Sequence, residues 1–183
     1  AGLALLVIDT RAKHSLVDGQ YGARRASCER SARVLGVDLL ADVPPGELDA
    51  HLTRLSGSGE ADADELVKRT RHVVTEIDRT RRLTALLRDG RPLAGPKLEE
   101  VGALMNASHD SLRDDYECTC PELDTAVEAA RAAGAHGARM TGGGFGGSAI
   151  ALIDATAAGA VARAVVDAYG ETGLAAPAFL NAV

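Results

Sequence analysis

No apolar run in this sequence approaches the roughly 18–20 residues that a membrane-spanning helix needs, so a spanning segment is not expected. No secretory leader is recognisable: "AGLALLVIDT" is apolar, but no basic region precedes it and no small-residue cleavage pattern follows. Positive charge is in deficit, with 20 Lys and Arg against 26 Asp and Glu and a net charge of −6. The electrostatic footprint by which proteins hold nucleic acid or an anionic membrane surface is therefore lacking. Cysteine is scarce and odd in number. Cys28, Cys118 and Cys120 form no CxxC pair, which argues against a disulfide scaffold and for reduced thiols in a cytoplasmic protein. His14, His51, His72, His109 and His136 are scattered, with no pair at the spacing of HExxH, so no metal site is predicted.

What is present is ordinary globular composition: 183 residues, 46% hydrophobic and 25% charged, enough for one domain built around a single core. "LALLVID" (Leu3–Asp9) has the length and continuous apolarity of a strand buried on both faces. After a polar loop, Thr10–Gly19, the segment Gln20–Leu35 reads as a helix closed by Gly36. A short helix follows near Glu47–Leu55. Leu66, Thr70, Val73, Val74, Ile77, Leu83 and Leu87 recur at helical spacing and predict a helix over Asp64–Arg88. A second is expected over Lys97–Arg113, and the short link between them favours an antiparallel pair. Pro121 suits the first turn of a further helix. Then come a short strand "HGARM", a glycine-rich loop, a strand "GSAIALI", a helix "AAGAVARAVVDAYG" and a last strand "APAFLNA". This order predicts an α+β fold of the ferredoxin-like split β-α-β type, with a helical insertion at about residues 46–115 and a hairpin around the glycines.

The glycine loop is the chemical signal. In "RMTGGGFGGSAIAL" (Arg139–Leu152), five glycines fall within the six positions 142–147, interrupted by Phe145. Each glycine costs about 0.5–1 kcal/mol of backbone entropy relative to alanine, and a hairpin needs one or two of them. The remainder point to bare backbone N–H groups approaching an anion or a substrate. The loop lacks the GK[ST] of a phosphate-binding P-loop and the spacing of a dinucleotide fingerprint. Arg24 and Arg25 would suit a phosphate, although arginines on a helix face usually snorkel or pair with acids. "RDDYE" (Arg113–Glu117) reads as an exposed helix end rather than a metal site.

The loop resembles the third motif of the GHMP small-molecule kinases in its galactokinase form. Three further stretches, Val7–Val37, Arg69–Thr80 and Leu104–Ala130, resemble galactokinase segments in the family's own order. The resemblance implies transfer of the γ-phosphoryl group of ATP, with Mg2+, to the anomeric hydroxyl of galactose. It implies that Tyr21 hydrogen-bonds the sugar, a task a phenol's donor and acceptor hydroxyl suits; residue chemistry alone reads Tyr21 as a half-buried aromatic under the loop. It also implies that Thr141, Gly142, Gly143, Gly144, Phe145, Gly146 and Gly147 border the active site, Gly143 and Gly144 nearest the sugar and phosphates and Phe145 anchoring the loop.

The family's sugar motif, phosphate loop and proposed catalytic base lie upstream of the segment aligned with Ala1. The chain therefore reads as a C-terminal GHMP kinase domain without its N-terminal kinase domain, holding no catalytic base and inactive alone. The missing N-terminal lobe would be its partner, in a full-length protein expected to be a monomer, and the isolated chain is expected to expose apolar surface there. Departures from the family pattern are Ser148 where cysteine is frequent, Ile77 where asparagine is usual, and a longer link at Arg88–Gly102. A galactose- and ATP-sensing regulator without turnover, or a GHMP kinase for a related sugar, remain open beside galactokinase at this stage.

Overall fold

The computed structural model describes residues 2–12 and 17–182, with only the backbone for Val17, Asp18, Asn181 and Ala182. The centre of the expected polar loop, His14 included, lies outside the described residues. In chain order the elements are β1 (Leu3–Asp9), α1 (Val17–Leu35), α2 (Leu48–Ser56), α3 (Ala63–Arg88), α4 (Pro96–Asp114), α5 (Pro121–Ala132), β2 (Gly137–Thr141), β3 (Ser148–Asp154), α6 (Ala158–Thr172) and β4 (Ala178–Ala182). The sheet runs β2-β3-β1-β4 with every pair antiparallel. This is the strand order of the split β-α-β arrangement.

The continuous apolarity of β1 has a simple cause: both of its faces are covered. Leu6 and Ile8 point into a core shared with Ala138, Met140, Ala149, Ala151 and Ile153 of the neighbouring strands. Against that face lie α5, through Leu123, Ala126, Val127 and Ala130, and α6, through Val161, Val165 and Tyr169. The first set is spaced i, i+3, i+4, i+7 and the second i, i+4, i+8, each a stripe along one side of its helix. Leu3 and Leu5 point the other way, onto a smaller cluster with Ile150 and Leu152 that Val101 and Met105 of α4 and Leu83 and Leu86 of α3 cover. A third cluster joins α1, α2 and α3 through Ala32, Leu35, Leu55, Leu66 and Val74. The helix α1 accordingly packs chiefly on α2 and α3 and not on the sheet.

Helix α4 seals the β2 edge. Along an edge strand alternate N–H groups face away from the sheet. Here Asn106 Oδ1 accepts from the Ala138 N–H at 2.9 Å, and His109 Nδ1 accepts from the Met140 N–H at 3.2 Å. The three-residue spacing of Asn106 and His109 matches the two-residue step of the strand. The proton of His109 is thereby left on Nε2, 3.2 Å from Asp124 Oδ1. Contact is possible only because Gly102 of α4 meets Gly137 of β2. A Cβ on Gly102 would collide with the His136 carbonyl, and one on Gly137 would stand 2.6 Å from the Gly102 oxygen.

Candidate active site

The loop of residues 142–147 joins β2 to β3 at the end of the sheet where β1 finishes. Thr10, just past β1 and 1% exposed, donates both its N–H (3.0 Å) and its hydroxyl (2.6 Å) to the Gly147 carbonyl. At the loop's crest the Phe145 N–H donates to the Cys118 carbonyl at 2.7 Å. Phe145 takes a positive φ of 59° and packs its ring on the main core. Gly144, buried at φ +85°, rests on the same carbonyl: a Cβ there would collide with Cys118 O and sit 3.1 Å from its Cβ. Gly143 differs. It is exposed, its φ is outside the left-handed region, and among the described residues no atom beyond its chain neighbours lies within 4 Å of where a Cβ would stand.

The Cys118 carbonyl is itself fixed by a turn that leaves α4. Glu117 holds φ +53°, a conformation uncommon for a residue with a side chain. Two arginines hold it in place. Arg24 of α1 donates Nε to Tyr116 O at 2.7 Å and Nη2 to Glu117 O at 2.9 Å. Arg69 of α3, 2% exposed, donates to Asp115 O and, at 2.7 Å, to the Glu117 carboxylate. Lys68 and Arg69 beside Glu117 hold its carboxyl at a pKa of about 2, well below the usual range. Tyr116 stacks on His72, ring centroids 4.3 Å apart. Burial pushes the Tyr116 phenol up to about 12 and the Cys118 thiol up to about 11, so neither is a nucleophile near neutral pH.

Tyr21 stands one helical turn before Arg24, on the same side of α1. It is 66% exposed, which removes the reading of a half-buried residue packed under the loop. The Arg24 guanidinium lies 6.0 Å from the centroid of the Phe145 ring, so the helix that carries Tyr21 and the glycine loop meet at this arginine. Arg25 is turned aside and pairs with Glu29 at 2.8 Å. In "RDDYE", Arg113 binds Asp114 and Glu128, Asp115 pairs with Arg71, and Glu117 is held as above. The segment is the end of α4, which closes at Asp114 with Asp114 and Glu117 exposed, and the turn beyond it is gripped by these pairs. Among the described residues no three His, Cys, Asp or Glu side chains converge to hold a metal ion. All three cysteines are free thiols. No described helix is long and apolar enough to cross a membrane.

Comparison with known proteins fits this arrangement. Residues 85–171, which span α4, α5, the glycine loop and most of α6, match the model of the family described as GHMP kinases C terminal. Over these residues the chain carries the C-terminal domain of the GHMP kinases. The chain is 52% identical over 182 residues to the galactokinase of Streptomyces coelicolor, covering 100% of the chain and 44% of that protein. It is 45% identical over 171 residues to the Homo sapiens galactokinase, covering 93% of the chain and 40% of that protein. Among solved structures, Lactococcus lactis galactokinase complexed with galactose superposes with a TM-score of 0.85 at 33% identity, over 99% of the chain and 45% of that structure. An L. major mevalonate kinase shares the fold at a TM-score of 0.51 and 21% identity, over 98% of the chain and 41% of that structure. The chain thus spans less than half the length of the curated relatives it matches.

The sequence reading missed three parts of the site: the Cys118 carbonyl, the Thr10 clasp and the use of Arg24 as an anchor. No local pattern marks them, because Arg24 and its acceptors are 92 and 93 residues apart and the acceptors are main-chain atoms.

Proposed function

We propose that the full-length protein is a galactokinase, which transfers the γ-phosphoryl group of ATP, with Mg2+, to galactose, and that this chain is one wall of its active site. The observation that carries the reading is Gly143. Among the described residues nothing requires glycine there, neither a left-handed φ nor a neighbouring atom, so its bare main chain is open to a ligand that binds outside the chain. Tyr21, exposed on the adjoining helix, would offer its hydroxyl to the sugar, while Gly142 and Gly143 bring main chain close to sugar and phosphate. The likeness to galactokinases runs the whole length of the chain and includes a relative whose structure holds galactose.

Phosphoryl transfer depends on in-line positioning and on neutralising charge as it spreads over the transferring group. Tyr21 and the loop supply positioning. A base for the sugar hydroxyl and the groups that neutralise phosphate charge are assigned to the part of the protein outside these residues, and this chain alone is expected to be inactive. The test is galactose-dependent ADP release. The full-length protein should turn over, the 183-residue chain should not, and Tyr21→Phe in the full-length protein should raise the galactose KM about three- to tenfold, as loss of one hydrogen bond does. Sustained turnover by the chain alone, or an unchanged KM in the variant, would overturn the assignment.

A further inference from the structure

The distance between Tyr21 and the glycine loop has to be set by something, since the two lie on elements with different packing partners. Helix α1 belongs to the α1–α2–α3 cluster, whereas the loop's Phe145 belongs to the sheet core. Arg24 touches both. Its Nε and Nη2 donors hold two successive carbonyls, Tyr116 O and Glu117 O, at 2.7 and 2.9 Å. The very next carbonyl, Cys118 O, receives the Phe145 N–H and lies under Gly144. The guanidinium also stands over the Phe145 ring. A planar fork of donors can hold two carbonyls and face a ring at once; an ammonium cannot do so in the same geometry.

We propose that Arg24 is a positioning residue, which fixes the loop's Gly143 relative to Tyr21 through the 116–118 turn and so sets the affinity of the sugar site. It does not touch the reacting atoms, and its donors are used on main-chain carbonyls and not on phosphate. The proposal names a determinant of sugar binding and rests, for the identity of the sugar, on the galactokinase reading.

The experiment uses the full-length protein with Arg24→Ala and Arg24→Lys, and takes two readouts. The first needs no substrate: amide hydrogen exchange at Gly144 and Phe145. Arg24→Ala is expected to speed exchange there at least tenfold relative to wild type while exchange in α6 stays unchanged. The second is steady-state kinetics, in which the galactose KM is expected to rise about tenfold in Arg24→Ala and to be partly restored in Arg24→Lys, with the ATP KM within twofold of wild type. Unchanged exchange in the loop overturns the coupling. A galactose KM and an ATP KM that rise together, or a kcat that falls only with the folded fraction, reduce Arg24 to a general structural role and overturn the positioning claim. If the wild-type protein phosphorylates another sugar, that sugar's KM takes the place of the galactose KM, and if it phosphorylates none, the exchange readout decides; in both cases the galactokinase reading falls separately.

Discussion

Gly143 and Gly144 are adjacent, identical in sequence and opposite in physical role. The resemblance to galactokinases implies that both lie nearest the sugar and phosphates, in a loop whose five glycines in six positions exceed what a hairpin requires. The Cys118 carbonyl separates them. Gly144 is glycine because its φ is +85° and because a Cβ there would collide with that carbonyl, so its requirement is met inside the chain. Substituting valine there combines left-handed strain with a backbone collision and should destabilise the protein by about 2–4 kcal/mol. Gly143→Ala meets no such penalty. In the full-length protein it should leave the thermal midpoint within about 1 °C while lowering galactose kcat/KM at least tenfold, a loss on the order of 1.4 kcal/mol in transition-state binding. A melting curve and a kinetic assay on each variant check both statements. Full activity in a stably folded Gly143→Ala would make position 143 a turn residue only.

At the scale of elements, periodicity and punctuation carried most of the fold. The apolar stripe over Leu66–Leu87 and the bounds set by "DGRPLAGP" placed α3 and α4 within a residue or two of where they lie, because a helix end marked by Gly or Pro leaves a local trace. The sequence pattern opens α1 at Gln20, and the helix begins three residues earlier, at Val17. The layer contacts left no such trace. Nothing in the pattern around Gly102 tells that α4 lies with its backbone on β2, yet that contact lets Asn106 and His109 satisfy the edge strand. Gly102→Ala should push helix from strand, break both of those hydrogen bonds and lower stability by about 2–4 kcal/mol. Urea unfolding of the variant measures this, and a loss below about 1 kcal/mol, the range of ordinary helix propensity, would show that the helix slides at little cost. A Gly to Ala change in an exposed helix interior normally stabilises, so even the sign discriminates.

The whole molecule inherits an acid sensitivity from the same turn that carries the loop. Burial holds the His72 imidazole at a pKa of about 4, against 6.5 in an unfolded chain, although Glu76 and Asp115 nearby favour its charged form and Arg79 opposes it. Its neutral ring is bonded through Nδ1 to the Ser111 hydroxyl at 3.0 Å, and that hydroxyl donates onward to Asp115 at 3.2 Å. Between pH 6.5 and 4 the unfolded chain therefore binds a proton that the folded one refuses. The contribution of neutral His72 is complete above pH 6.5, declines as pH falls and is gone below about 4, a loss on the order of 3 kcal/mol at the limit. Glu117 acts in the same direction in a lower window: its depressed pKa stabilises the fold above pH 4.5 and ceases to as pH falls toward 2. Both groups bear on the Asp115–Glu117 turn, one by stacking on Tyr116 and one by pairing with Lys68 and Arg69. Urea midpoints of the wild type should thus fall steadily from pH 6.5 downward. In His72→Gln, which keeps a polar side chain but cannot titrate, the curve should be flatter between pH 6.5 and 4.5 and should still drop below that as Glu117 takes up its proton. Parallel wild-type and variant curves across the upper window would mean that His72 is protonated in the fold without penalty, and the acid limb would then belong to the carboxylates.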